Sequence, residues 1–383
     1  MVFFDVNSFL SPRGGGARTY HLKKAEWFER HPEHRYVVLG PGSGRGGLEL
    51  SPGSLPIRTG YGIPYGRSRN YRVLVDPWEA SRIIRDEKPS VVEIGDPWLS
   101  ARWSSKLPRN ILRTSFWHSD PHTAYLEPWS RMGRPWRAYA SRQILSLVDK
   151  WHSHFDLIWC ASDWVSDLLR KRGYTHVETI RFGIDKTQFH HRVRSPELLR
   201  RFGLDPDRPV LLYAGRLDFE KGVSVLLEAL PGILALDSRP QVLVTGRGEW
   251  EPEFQSFKAN GYAYGGFLEN RDELAGLISG ADMLLATCAV ETFGLSVLEG
   301  LCCGTGVVSA DGGGGGEQVR NSGAGELFQS GSATDFVKAI ERALPRAAEF
   351  SIKAKAWAES WPTWDQMFSR QIERCLELQH DRE

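Results

Sequence analysis

Short apolar runs alternate with amphipathic helical stretches along nearly the whole of this chain, and that alternation restricts its fold more than any other feature. Strand signals fall at residues 2–6, 36–39, 91–94, 111–116 and 157–161, then at 177–181, 210–214, 241–245, 283–286 and 306–309. Helical periodicity lies between them, at 17–30, 77–87 and 136–154, and later at 223–234, 271–279, 295–303 and 333–344. Strands separated by helices pair in parallel, because a parallel connection needs a crossover long enough to hold a helix. The expected class is therefore α/β, and 383 residues suffice for two such sheets, each with its own core. The stretch 40–66, rich in Gly, Pro and Ser, reads as a loop with short irregular strands. A boundary in 183–192 divides the chain into residues 1–185 and 186–360, and 361–383 forms an amphipathic C-terminal helix. No internal repeat appears beyond the βα alternation.

Ligands of open parallel sheets bind at the C-terminal ends of the strands, and the chemistry-bearing motifs fall there. Glu291-Thr292-Phe293-Gly294-Leu295-Ser296-Val297-Leu298-Glu299 follows the apolar run 283–286. It puts one carboxylate in the loop after a strand and a second about two turns into the next helix. Gly294 admits close approach of a ligand, and the first free amides of the helix face an anion. Carboxylates for hydroxyls and amides for phosphate suit a polyhydroxylated phosphate ester, although an ordinary capped helix with an exposed Glu has the same spacing. Tyr213-Ala214-Gly215-Arg216-Leu217-Asp218-Phe219-Glu220-Lys221-Gly222 narrows the choice. A strand, a glycine turn, then Arg and Lys five apart before a helix offers a planar fork and a mobile point charge to two phosphates.

Together these two segments resemble the nucleotide-sugar half of the retaining glycosyltransferases of family 4, which have the GT-B fold. The resemblance extends over most of the chain and is looser in the first half. It implies two Rossmann-like domains facing a central cleft, with the C-terminal helix crossing back onto the first. It also implies that Arg216 and Lys221 bind the donor diphosphate and stabilise it as it departs. Glu299 would accept from the ribose hydroxyls, and Glu291 would contact the transferred sugar without acting as a nucleophile. Phe293, Gly294 and Leu295 would help hold the donor. Gly246 and Arg247, in Thr245-Gly246-Arg247-Gly248, would line the nucleotide, and Phe267 and Leu268 would lie near the base. Two departures stand out. Gly306 occupies a place where relatives often have Pro, and the run 312–316 exceeds their usual glycine pair. Both imply looser loops around the site.

In the first half, Ser11-Pro12-Arg13-Gly14-Gly15-Gly16-Ala17-Arg18 joins the first strand to the first helix. Such glycines either make a plain turn or let backbone amides cradle a phosphate. The resemblance gives Gly15 and Gly16 a role at the donor diphosphate or the acceptor. The run lacks the spacing of a dinucleotide fingerprint, which disfavours a nicotinamide cofactor. His118, in Phe116-Trp117-His118-Ser119-Asp120-Pro121-His122, follows a strand, where an imidazole can donate to a sugar hydroxyl or stabilise charge near the anomeric carbon, and it best matches a His that the family carries in this place, with His122 as the fallback. Asp120 either orients the acceptor hydroxyl or caps a turn. Trp and Arg residues interleave over 127–142, a pattern that fits a lipid headgroup region or an ordinary amphipathic helix.

Charge is divided unequally. Residues 1–182 carry 27 Lys and Arg against 18 Asp and Glu, a net +9, and the remainder carries −8. A basic first half fits an anionic acceptor or membrane surface, or simple attraction between two domains. Dispersed basic residues without a binding motif argue against nucleic acid. Five cysteines without metal spacing read as buried free thiols. The beginning of the chain reads as a buried strand rather than a signal segment, and no apolar run spans a bilayer, so a cytoplasmic protein, peripheral at the inner face of a membrane, is expected. The combined expectation is a hexosyltransferase that takes mannose or glucose from a UDP- or GDP-sugar to a hydroxyl of a lipid or glycan. It would work without cofactor or metal and keep the anomeric configuration. A non-catalytic nucleotide-sugar-binding scaffold and a sugar-nucleotide epimerase on the same fold are the alternatives.

Overall fold

The computed structural model describes residues 1–8, 10, 15–42, 57–65, 71–75, 77–96, 100–104, 106–119, 134–192 and 194–382. Its backbone separates into two units, Met1–Phe182 joined by Trp364–Glu383, and Gly183–Thr363.

Among the described residues the first unit is built on eight strands: β1 (Val2–Val6), β2 (Arg35–Gly42), β3 (Ile57–Tyr65), β4 (Tyr71–Leu74), β5 (Val91–Ile94), β6 (Leu112–Phe116), β7 (Leu157–Cys160) and β8 (Val177–Thr179). Their order is β4-β3-β2-β1-β5-β6-β7-β8, and only β3 with β4 runs antiparallel. Side chains alternate across the sheet. Phe4 and Val6, Val37 and Leu39, Val92 and Ile94 enter one core with Ile84, Trp117 and Ile158. The other face carries Asp5, Tyr36 and Glu93, which meet the helix Gly16–Glu29 through Lys24. The helix Trp364–His380 packs on the same side, where Trp27 donates to Ser369 at 3.2 Å and Gln371 donates to Glu93 at 2.8 Å.

The second unit holds six parallel strands among the described residues: β9 (Val210–Ala214), β10 (Gln241–Thr245), β11 (Tyr262–Gly266), β12 (Met283–Ala286), β13 (Gly306–Ala310) and β14 (Gly325–Phe328), in the order β11-β10-β9-β12-β13-β14. Leu211, Val242, Val244, Met283 and Leu285 pack with Leu226, Leu230 and Ile233 of the helix Val223–Leu234 and with Phe336 and Ile340 of Ala333–Ala343. In each sheet the order reverses once, between β1 and β5 and between β9 and β12. These reversals are the places where connections leave to opposite sides and a ligand can enter.

Three expectations change. The stretch read as a loop with short irregular strands contains the end of β2 and the nine-residue strand β3. The glycine run is not a loosened loop. It begins the helix Gly313–Ser322, whose first four residues are buried. A Cβ on Gly314 would lie 2.6 Å from the Phe293 carbonyl oxygen, and one on Gly313 2.8 Å from that of Glu291. The missing side chains let two backbones touch, and the Gly314 amide donates to the Glu291 carbonyl at 2.7 Å. Gly306 starts β13, where a Cβ would fall 2.7 Å from that of Phe350, so its bareness admits the helix Ala347–Ser360. Among the described residues no helix is long and apolar enough to cross a membrane.

Candidate active site

The reversal point of the second sheet gathers the charged residues singled out in its sequence. β9 ends at Ala214, and the chain turns through Gly215 into a short helical turn, Phe219–Lys221. Gly222 then takes φ of 67° and starts the helix Val223–Leu234. A side chain there would meet the Thr287 carbonyl oxygen at 2.4 Å, so glycine lets the β9 and β12 loops close on each other. Thr287 Oγ1 donates to the Lys221 carbonyl at 2.8 Å, and Cys288 Sγ donates to that of Glu220 at 3.1 Å. This seam carries Lys221 to Glu291, Nζ to Oε2 2.7 Å, with about a quarter of each side chain exposed (21% and 26%).

Burial opposes ionisation of both groups, but their mutual attraction outweighs it: Glu291 is held below the usual carboxylate range and Lys221 above the usual ammonium value. Both are charged at neutral pH. An ammonium has three donors, so two N–H groups of Lys221 remain to meet phosphate oxygens. Arg216 pairs with Asp218 at 2.6 Å and with Glu220, so an incoming diphosphate competes with two local carboxylates for the guanidinium. Asp218 also accepts the Glu249 amide at 3.1 Å, which ties this turn to the β10 loop.

That β10 loop contains Gly246 and Arg247. Gly246 adopts φ of 139°, and a Cβ would sit 1.8 Å from the Gly215 carbonyl oxygen, so no other residue fits. Its amide donates to the Gly266 carbonyl at 2.8 Å. Arg247 lies over the ring of Phe267, 5.6 Å from its centroid, and Phe267 is 49% exposed. An exposed ring with a guanidinium beside it is a surface on which a flat base stacks. Leu268 follows in the same loop.

After β12, Phe293 is buried and Gly294 takes φ of 92° as the residue before the helix Leu295–Cys302. Gln318 donates to the carbonyls of Phe293 at 2.5 Å and Gly294 at 3.2 Å, fixing the turn from which the helix amides emerge. Glu299 is buried in the second turn and meets Arg271 at 2.5 Å. Burial raises its carboxyl pKa, and Arg271 tempers the rise. Arg271 itself covers the ring of Phe189 at 4.8 Å.

In the first unit, Gly15 takes φ of 92° and caps the helix that Gly16 opens. His118 lies just beyond β6, stacked on Phe116 at 4.4 Å and edge-on to Tyr20 at 4.9 Å. Burial, with His21 nearby, drives its pKa well below that of free histidine, so its imidazole is neutral. Asp120 and His122 lie outside the described residues, as do residues 127–133; in the rest of the 127–142 stretch, Tyr139 is exposed on the helix Arg134–His152. Among the described residues no group of three or more His, Cys, Asp or Glu is placed to hold a metal ion.

The structure thus brings Arg216, Lys221 and Glu291 together, Gly246 with Arg247 and Phe267, and Phe293, Gly294 and Leu295 with Glu299 on one turn and helix. Sequence reasoning missed Arg271 and Gln318, whose partners lie 28 and about 25 residues away in sequence. It also missed Asp5 and Glu93, although a carboxylate within VFFDV and within VVEI is a visible break in a buried strand.

Two largely parallel sheets with ligand-type residues at a reversal point define a nucleotide- or sugar-nucleotide-handling α/β protein, and known proteins narrow that class. The family described as Glycosyltransferase Family 4 matches residues 14–188, and that described as Glycosyl transferases group 1 matches residues 195–359. The chain belongs to this glycosyltransferase family and is a hexosyltransferase of GT-B fold. It is 26% identical over 311 residues to a GDP-mannose-dependent alpha-(1-6)-phosphatidylinositol dimannoside mannosyltransferase of Mycobacterium tuberculosis, covering 80% of this chain and 78% of that one. A D-inositol 3-phosphate glycosyltransferase of Geodermatophilus obscurus is 34% identical over 177 residues, 42% of this chain and 39% of its own. Sucrose-phosphate synthase from Thermosynechococcus elongatus superposes with a TM-score of 0.77 over 99% of both chains at 17% identity. Anabaena Alr3699/HepE in complex with UDP and glucose gives 0.72 over 98% of this chain and 99% of that one, at 17% identity. At such identities the two structures speak for the fold alone.

Proposed function

We propose that the protein is a retaining mannosyltransferase that takes mannose from GDP-mannose to a hydroxyl of a glycolipid. The observation that carries the donor site is the Lys221–Glu291 pair at the β9/β12 reversal, with Arg216 on the adjoining turn. The choice of GDP-mannose and of a lipid acceptor rests on the mycobacterial relative that spans 80% of the chain. UDP-glucose is the second donor to try, because the Anabaena protein of the same fold is known with UDP and glucose.

In this reading the bond from the anomeric carbon to the diphosphate oxygen breaks, and negative charge grows on the diphosphate. Arg216 and Lys221 offset that charge where it develops. The acceptor oxygen bonds to the anomeric carbon on the face that the diphosphate leaves. Its proton passes to the departing phosphate oxygen, so no protein base is needed. Glu291, ionised and tied to Lys221, accepts from hydroxyls of the transferred sugar. Glu299 takes the ribose hydroxyls, the Phe293–Leu295 turn supports the donor, and Phe267 with Arg247 and Leu268 flanks the base. Gly15, Gly16 and His118 serve the transferred sugar and acceptor, with His118 neutral and able to donate a hydrogen bond. The reaction proceeds without metal or cofactor, and a lipid acceptor draws the enzyme to a membrane surface.

The test is transfer of radiolabelled sugar from GDP-mannose or UDP-glucose to a mannosylated phosphatidylinositol lipid, with and without EDTA. The product's anomeric carbon–proton coupling reports its configuration. Labelled lipid of retained configuration, made equally well in EDTA, is the expected result. Donor turnover that needs no acceptor supports an epimerase instead, and nucleotide binding without turnover supports a scaffold.

A further inference from the structure

A chain of buried hydrogen bonds in the first unit ends beside His118, and none of its members takes part in the chemistry above. It starts where Asp5 of β1 and Glu93 of β5 stand opposite each other in register. Lys24, from the helix Gly16–Glu29, meets Asp5 at 2.9 and 2.8 Å and Glu93 at 2.9 Å. Burial opposes charge on Asp5, but Lys24 and His21 hold its pKa below the usual carboxylate value, so it is an anion and can only accept. Tyr36 Oη therefore donates to Asp5, at 2.8 Å.

The rest follows from counting protons. Tyr36 has spent its one hydrogen, so its oxygen accepts from His21 Nδ1 at 2.9 Å. The imidazole proton is thereby fixed on Nδ1, and Nε2 is left as an acceptor. Asn7 Nδ2 lies 3.0 Å from that Nε2 and must be the donor, which fixes which way the carboxamide faces. Asn7 is the first residue beyond β1 and Gly95 the first beyond β5, the two strands at the reversal of this sheet. A Cβ on Gly95 would lie 3.2 Å from Asn7 Nδ2 and 3.3 Å from His118 Cδ2, so the amide and the imidazole share one wall there. Asp5, Asn7, His21, Lys24 and Tyr36 are all at least 96% buried, since none exceeds 4% exposure. An ionic pair hidden this deeply gives little net stability, and its better-attested use is to specify a single arrangement.

We propose that His21 is a positioning residue for sugar transfer: as an Nδ1–H imidazole set by Tyr36, Asp5 and Lys24, it holds the Asn7 carboxamide in one orientation against His118. This rests on the role given to His118 in the transferase reading. His21 is 1% exposed and so is screened from solvent and from a ligand that enters from it, and the proposed donor site belongs to residues of the other unit.

The experiment compares full-length His21→Phe, His21→Gln and Tyr36→Phe with wild type, by steady-state transfer from GDP-mannose, and in parallel UDP-glucose, to the glycolipid acceptor. GDP and UDP titrations and a melting curve accompany each variant. Removing the acceptor in His21→Phe is expected to lower kcat at least tenfold while nucleotide affinity stays within twofold. His21→Gln offers an amide oxygen near the Nε2 position and is expected to recover a third or more of wild-type kcat. Tyr36→Phe removes the nearer acceptor of the Nδ1 proton and leaves Asp5 Oδ2, 3.4 Å from the same nitrogen, to hold it less closely; it is expected to lose two- to fivefold and keeps the test open should His21→Phe not fold. In a His118→Ala background, His21→Phe should cost less than a further twofold. Equal kcat for the Phe and Gln variants per folded molecule, or full independent loss in the double variant, overturns the inference. Wild-type protein that transfers nothing from either donor defeats the transferase reading, whereas active wild type with an equally active His21→Phe defeats only the role of His21.

Discussion

The glycine run at 312–316 gives a prediction whose size follows from contact distances, using Gly314→Ala and Gly315→Ala. Both residues lie in the first turn of the helix Gly313–Ser322, so both substitutions gain up to about 1 kcal/mol of helix propensity. They differ in what the new methyl meets. On Gly314 it would stand 2.6 Å from the Phe293 carbonyl oxygen and 2.7 Å from its Cα, backbone that cannot rotate away. On Gly315 it would meet Val297 Cγ2 at 3.3 Å and Ser309 Oγ at 3.4 Å, side-chain atoms that can give by a few tenths of an ångström. Overpacking of the first kind costs about 1–3 kcal/mol and here falls at the upper end, because the seam is backbone on backbone. The expected net is a loss of about 2 kcal/mol for Gly314→Ala and a change within about 1 kcal/mol of zero for Gly315→Ala. For a unit of this size the loss lowers its melting temperature by about 4–8 °C. Under the proposed function Phe293 and Gly294 form the donor turn, so Gly314→Ala should also weaken nucleotide binding at a temperature where the protein is still folded. Calorimetric melting with and without GDP or UDP reads both effects. A Gly314→Ala protein as stable and as tight-binding as Gly315→Ala would refute the packing argument and restore the loosened-loop reading.

Other perturbations have signs fixed by the same geometry. Lys221→Ala leaves the Glu291 carboxylate without its 2.7 Å partner; it should destabilise the protein by about 1–3 kcal/mol, measurable by urea unfolding, and lower kcat by far more than that loss of fold explains. Gly246→Ala drives a methyl onto the Gly215 carbonyl, 1.8 Å away, and is expected to abolish nucleotide binding or soluble expression. Burial, with Asp5 adding to it, raises the Glu93 pKa to about 7 despite Lys24, so the folded state keeps a proton that the unfolded chain has released above about pH 4.3. Its stabilising contribution is full below that pH and is lost as pH rises through 7. The stability of wild type minus that of Glu93→Gln should therefore fall between pH 5 and 8, by about 1–3 kcal/mol, in denaturant melts.

Legibility in the sequence divided along physical lines. The inner strands β9, β10 and β12 are almost wholly apolar runs, and β1 and β5 are so but for Asp5 and Glu93, because a parallel strand covered on both faces has little polar side to show. The edge strands β11 and β14 pack less, carry Gly and Tyr or Glu, and left no such trace. Arg216, Lys221, Glu291 and Glu299 were visible because a strand, a glycine turn and a helix start place charge at a strand's C-terminal end. Arg271 and Gln318 reach the same site from helices whose own sequence gives no reason to aim there; only the fold supplies the direction. The glycine run misled because glycine reads locally as freedom, whereas here it is a shape that lets a helix touch a loop. Asp5, Lys24 and Glu93 were readable one by one as charges out of place, but their union depends on β1 and β5 being neighbours in register.

The proposed donor site in the second unit holds a nucleoside diphosphate through Arg216, Lys221, Glu291 and Glu299. Calorimetric titration of GDP and UDP into wild type, Lys221→Ala and Glu299→Ala tests it most directly. One of the two nucleotides should bind, and each variant should weaken it tenfold or more, as removal of a hydrogen bond to a charged group implies. Binding of equal strength in all three folded proteins would contradict it.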